Sequence, residues 1–134
     1  MARTSLGRFE PYLLSILRVV AGLTFSCHGF QKLFGAFGGI GSRGATVHLA
    51  SLFGVAGLLE AVGGILIVAG LFTRCVAFVL CGEMAVAYFR QHLPRGPWPI
   101  TNGGELAVLY CFIFFFLCAA GGGPWSLDRV IRKR

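Results

Sequence analysis

At 134 residues the chain has room for one domain, and a hydrophobic share of 56 % with a mean hydropathy of +0.77 excludes an ordinary soluble fold. The net charge of +7 does not read as a nucleic-acid surface, because the basic residues sit between and outside apolar runs rather than among aromatics on one polar face. No nucleic-acid partner is expected, and the composition points to the lipid bilayer.

A spanning helix needs about 20 mostly apolar residues. The first such run, Pro11 to Phe34, is too long for the apolar stretch of a cleavable leader and has no small-residue cleavage site behind it, so it is expected to remain as an anchor. Gly35 to Gly44 holds too many glycines for a helix, each costing about 1 kcal/mol relative to alanine, and reads as a loop. The second span covers Leu49 to Leu71. Only Phe72-Thr73-Arg74 then separates it from a third span, Arg74 to Gln91, so the two must be antiparallel neighbours. Pro94, Pro97 and Pro99 break the chain between His92 and Gly103. A fourth span, Gly104 to Ala120, ends at Gly121-Gly122-Gly123-Pro124.

The expected fold is all-α: an antiparallel four-helix bundle embedded in the plasma (inner) membrane. Four spans place the N-terminus, the Thr73 turn and the C-terminal tail on one side, with Arg3, Arg8, Arg74, Arg129, Arg132, Lys133 and Arg134. The other side carries Lys32, Arg43, Arg90 and Arg95. The positive-inside rule then puts both termini in the cytoplasm.

Arg18, Glu60 and Glu83 lie within apolar runs, where an isolated charge costs about 2.5–3.5 kcal/mol on insertion scales. Around Glu60, helical spacing collects Ala56, Gly57, Gly63 and Gly64, a small-residue face suited to close helix packing, so Glu60 is expected to point inward. Ser15, Ala21, Gly22, Phe25 and Gly29 form a similar stripe around Arg18. A guanidinium can bridge two carboxylates, and the three charges are read as one buried network. It acts either as a staple between helices or as a proton- or quinone-linked site.

A second polar group gathers near the outer surface, where His28, Lys32, His92 and Glu105 form a candidate ligand pocket, with Gln31 and Arg90 nearby. Glu105 also suits the first turn of a helix, where the dipole favours a carboxylate, and Lys32 and Arg90 also suit snorkelling. Haem is not supported, since only His28 and His92 could ligate it and both lie at the outer edge. No metal is expected, because no histidine or carboxylate spacing matches a metal site. Cys27, Cys75, Cys81, Cys111 and Cys118 lie in or at the edge of apolar runs without a C-x-x-C, which is no disulfide framework; they read as inert packing residues. The run Tyr110 to Phe116 reads as lipid-facing or core filler.

Several blocks together are diagnostic: Leu17-Arg18, His28-Gly29-Phe30-Gln31-Lys32-Leu33-Phe34-Gly35, Glu60-Ala61-Val62-Gly63-Gly64 and Gly70-Leu71-Phe72-Thr73-Arg74. Asn102-Gly103-Gly104-Glu105-Leu106-Ala107 and Gly123-Pro124-Trp125-Ser126-Leu127-Asp128 follow in order. The chain resembles the DoxX family over nearly its whole length. The resemblance implies a four-helix membrane protein linked to redox work, with relatives among thiosulfate:quinone oxidoreductase subunits and in a membrane complex handling oxidative and thiol stress. It maps the family's polar positions onto Arg18, His28, Lys32, Glu60, His92 and Glu105. No soluble catalytic domain is expected from these 134 residues, so an independent sulfur-oxidising activity is not expected. The expected function is therefore a membrane subunit of a redox complex, quinone- or thiol/sulfur-linked, with a quinone as the cofactor class left open and other membrane or redox subunits as partners. The alternative is a non-catalytic assembly subunit packing on a larger membrane complex; a transporter would need oligomerisation.

Overall fold

The computed structural model describes residues 6–41 and 44–132. Four of the charges used to orient the chain, Arg3, Arg43, Lys133 and Arg134, lie outside the described residues.

Helix α1 runs Glu10–Phe34. Pro11 sits in its first turn, where the missing amide donor has no helical partner to lose, and Gly35 ends it in the left-handed region at φ +68°. Helix α2 runs Leu52–Ala69, three residues later than the apolar run begins. The reason is local: the Ser51 hydroxyl accepts the Gly54 N–H at 3.0 Å and caps the helix there. Within α2, Leu59–Gly63 widens into a π turn, and Gly70 stops the helix at φ +68°. Helix α3, Thr73–Ala87, continues through a second π turn, Tyr88–His92. After a single helical turn at Pro99–Asn102 come α4, Glu105–Ala120, and α5, Leu127–Arg132. Among the described residues all regular structure is helical apart from one isolated bridge between Ile40 and Ala45. The α1 segment with its preceding turn (Gly7–Phe34) and α2 are each long and apolar enough to cross a membrane, and α4 is a shorter apolar helix.

Small residues let α1 and α2 touch backbone to backbone. A methyl at Gly29 would stand 2.3 Å from the Ala61 nitrogen, and one at Gly22 would stand 2.8 Å from the Gly64 oxygen. The inward-facing Glu60 lies on this seam. Helices α3 and α4 pack along their lengths, and Leu80, Met84, Ala107, Tyr110, Phe114 and Leu117 join Phe25 and Ile67 in the core. The aromatic run of α4 divides: Tyr110 and Phe114 are buried, whereas Phe112, Phe115 and Phe116 are exposed. That outer face, with Leu13, Val20 and Leu23 of α1 and Phe78 and Val86 of α3, is apolar where a soluble protein would be polar.

Candidate functional site

Arg18 is wholly buried, and its partners differ from the expected ones. It does not bridge Glu60 and Glu83. Nε donates to the Gly122 carbonyl at 2.8 Å, Nη2 donates to the Trp125 carbonyl at 2.8 Å, and Nη1 donates to the carbonyls of Ile67 and Val68. The last two belong to the final turn of α2, which carries the negative end of the helix dipole; the Ile67 carbonyl also accepts the Gly70 N–H at 3.0 Å. Arg18 thus acts as a C-terminal cap in the body of the protein, and the anticipated three-charge network separates into parts.

Glu60 takes Lys32 as its partner instead: the Lys32 ammonium donates to Glu60 Oε1 from α1 to α2. The π turn places Glu60 here, a widened turn being a frequent device at functional positions. Glu60 Oε2 and both oxygens of Glu83 are buried without a hydrogen-bond partner. Buried polar atoms normally find partners, so these three oxygens mark a place where the fold leaves hydrogen-bonding capacity unspent.

The Lys32–Glu60 pair forms a wall shared by two cavities. One, of about 330 Å³, opens toward the loop end and is lined by His28, His92, Arg95 and Tyr110 along with the pair. The other, of about 240 Å³, lies between α2 and α3 and is lined by Glu83 and Arg90 along with the pair. Phe53, Met84, Ala87 and Gln91 border both, so the charges stand among apolar side chains.

Each ring at the first cavity is held. His28 meets Tyr110 edge to face with centroids 6.2 Å apart, and the Tyr110 hydroxyl donates to Thr24 Oγ1 at 2.8 Å. His92, in the second π turn, stacks on Tyr88 and sets Nδ1 3.2 Å from the Asn102 carbonyl. The buried Asn102 fixes the loop behind it, donating to the Gly96 carbonyl and accepting the Gly104 N–H, both at 2.8 Å. Of the four predicted pocket residues, the structure brings His28, Lys32 and His92 to one cavity. Glu105 is exposed at the start of α4 and does not line it. Glu60, Tyr110 and Gln91 line it although the pocket prediction did not include them. Glu60 carried a signal, an intramembrane carboxylate with a cation one helix away, but Tyr110 looked like any other member of an aromatic run.

At the opposite end, Asp128 closes the junction between α2 and α3. Its carboxylate accepts the N–H of Phe72 at 2.7 Å and of Thr73 at 2.8 Å, capping α3 and holding Phe72 at φ +51°. Burial alone would raise this carboxyl, but the hydrogen bonds from Thr73 and Phe72 and the charge of Arg132 outweigh it and hold Asp128 below the ordinary carboxylate range. The thiols of Cys81 on α3 and Cys111 on α4 lie 3.7 Å apart.

The DoxX family profile matches residues 13–93, from α1 to the end of α3. An uncharacterized protein of Haemophilus influenzae is 41 % identical over 137 residues, covering 97 % of this chain and 98 % of the relative. An uncharacterized membrane protein of Mycobacterium tuberculosis is 32 % identical, covering 92 % of this chain and 84 % of the relative. The inner membrane protein YphA of Escherichia coli is 30 % identical, covering 92 % and 93 %. No solved structure matches the chain. With an apolar outer face, a family profile spanning more than half its length and relatives named as membrane proteins, this chain is a membrane protein of the DoxX family.

Proposed function

We propose that the protein is a four-span inner-membrane subunit of a redox complex that holds a quinone-like ligand in the cavity beside the Lys32–Glu60 pair, with both termini cytoplasmic. Three features support the topology: the helix order, the inner-membrane relative, and the described basic residues Arg8, Arg74, Arg129 and Arg132 at the end opposite Lys32, Arg90 and Arg95. The observation that carries the ligand reading is Glu60 Oε2, a buried and unpartnered carboxylate oxygen at an apolar hollow next to an ammonium group.

That donor set suits a flat molecule with carbonyl edges. The hollow falls at the lower end of the size range of small-ligand pockets. Lys32 has three N–H donors and gives one to Glu60, which leaves two for a ligand oxygen. His28 offers a ring N–H, Tyr110 an aromatic face, and Glu60 Oε2 an acceptor for a hydroxyl. A bound quinone supplies a two-electron, two-proton acceptor. The residues orient it, and Glu60 Oε2 stands ready to accept a hydrogen bond from its hydroxyl form.

The test is titration of the purified protein with a water-soluble quinone analogue. Loss of one charged hydrogen bond of about 1.5–3 kcal/mol corresponds to roughly tenfold to hundredfold weaker binding for Lys32→Ala. His28→Phe should bind more weakly, and Glu105→Gln should bind like wild type. Equal affinity in all four proteins would overturn the assignment. Recovery of a stoichiometric membrane partner by native pull-down, with no quinone binding, would favour the assembly-subunit reading instead.

A further inference from the structure

Cys81 and Cys111 are 30 positions apart, yet α3 and α4 bring their sulfur atoms to 3.7 Å. Both are half-buried on the seam between these two helices. Among the described residues no other two thiols come this close. Met84, one turn beyond Cys81, and Tyr110, next to Cys111, belong to the core, so the pair stands where α3 and α4 are held in register rather than at a loose end.

We propose that Cys81 and Cys111 form a redox-active dithiol that closes to a disulfide between α3 and α4, with a lipid-soluble quinone as the oxidant. In closing, the two S–H bonds break and one S–S bond forms. The two electrons and two protons pass to the quinone, whose two carbonyl oxygens become the hydroxyls of a quinol. The overall step leaves no charge in the apolar layer, because the two protons leave the thiols along with the two electrons.

The geometry asks for little. A disulfide needs the sulfurs at about 2.05 Å, a closure that side-chain rotation and a small approach of the two helices can supply. The partner class follows from the location. Glutathione is charged and confined to water, so it cannot set the state of a thiol pair among lipid-facing side chains. A membrane-dissolved two-electron carrier can reach it through the exposed apolar surface of Phe78, one turn before Cys81, and Phe115, one turn after Cys111. This proposal uses neither Lys32 nor the cavity, and its failure is separable from failure of the ligand reading.

The experiment is thiol counting on the full-length protein in membranes. After treatment with diamide, the protein is denatured, alkylated with a maleimide and weighed intact. Reduced wild type should show five alkylatable thiols and oxidised wild type two fewer, with the loss reversed by dithiothreitol. Cys81→Ser and Cys111→Ser should each keep every remaining thiol, whereas the double variant Cys75→Ser, Cys118→Ser should still lose two. In oxygen-free vesicles, decylubiquinone should produce the same loss with one quinol formed per protein. Retention of all thiols by wild type after diamide, or an equal loss in Cys81→Ser, overturns the dithiol. Closure by diamide but not by the quinone overturns the assignment of the oxidant.

Discussion

The Arg18 guanidinium in α1 donates through Nε to the main-chain carbonyl of Gly122 at 2.8 Å, across 104 positions of sequence. The same side chain reaches the last turn of α2 and the Trp125 carbonyl, so one residue ties together the first helix, the second helix and the C-terminal segment.

Replacing it should be severe. Hydrogen bonds to a charged donor are worth about 1.5–3 kcal/mol each, and Arg18→Met leaves buried carbonyls unpaired, so a loss of at least about 3 kcal/mol is expected. Arg18→Lys should fall between, because a single ammonium cannot reach as many carbonyls as the planar fork. Thermal unfolding in detergent measures both, and a Met variant as stable as wild type would contradict the capping role.

The Lys32–Glu60 pair predicts an asymmetry. Glu60→Gln leaves a half-buried ammonium without its counterion and should cost about 1–3 kcal/mol, whereas replacing both residues by methionine should recover most of that loss. Glu83→Gln should be neutral or stabilising, since neither Glu83 oxygen has a partner to lose. Unfolding curves of the single and double variants form a cycle, and additive losses would show that the two residues do not interact.

The α1–α2 seam should not accept a methyl group. Gly29→Ala would set a carbon 2.3 Å from backbone and should destabilise by about 1–3 kcal/mol. Gly82, on the outside of α3, has open space where a methyl would go, so Gly82→Ala should gain up to about 1 kcal/mol in helix propensity. Comparable melting temperatures for the two variants would show that the seam is looser than its geometry.

Acid should loosen the α2–α3 junction. Asp128 is held below the ordinary carboxylate range, so its contribution is complete above the unfolded value of about 3.9. It is lost as pH falls through the lower folded value. Stability should be insensitive to this group between about pH 5 and 8 and decline below about pH 4. Asp128→Asn should be less stable at neutral pH and lack that component of the acid decline. Parallel pH profiles for variant and wild type would remove Asp128 from the account.

Helix positions were legible because apolar runs bounded by Gly35, Gly70, the Pro94 to Pro99 stretch and Gly121 leave little choice of where a helix can lie. The small-residue face around Glu60 was legible for the same periodic reason. Partners were not. Arg18 pairs with backbone carbonyls, which every residue has and no sequence pattern marks. Glu105 looked like a pocket residue because it opens the fourth span at the outer surface, but the first turn of α4 leaves it exposed. Lys32 and Glu60 fall in different polar groups by position along their runs, because sequence spacing takes no account of the reach of a lysine side chain. The Cys81–Cys111 approach depends on the antiparallel register of α3 and α4, which neither helix encodes alone.

The π turn at Leu59–Gly63 gives α2 one residue more than an unbroken helix of its span would hold. Each residue of an α-helix advances by about 100°. In regular winding an added residue would rotate everything after it by that angle; the wide turn absorbs it, so the segments before and after Leu59–Gly63 keep the phase of one continuous helix. Gly64 thereby keeps its close approach to Gly22, and the carbonyls of Ile67 and Val68 stay turned toward Arg18. The surplus residue is local slack: it re-aims Glu60 at a cavity without moving the carbonyls that close the helix. Deleting one residue within the turn should therefore be felt at Glu60 and spare the seam with α1, whereas a deletion elsewhere in α2 should disrupt both.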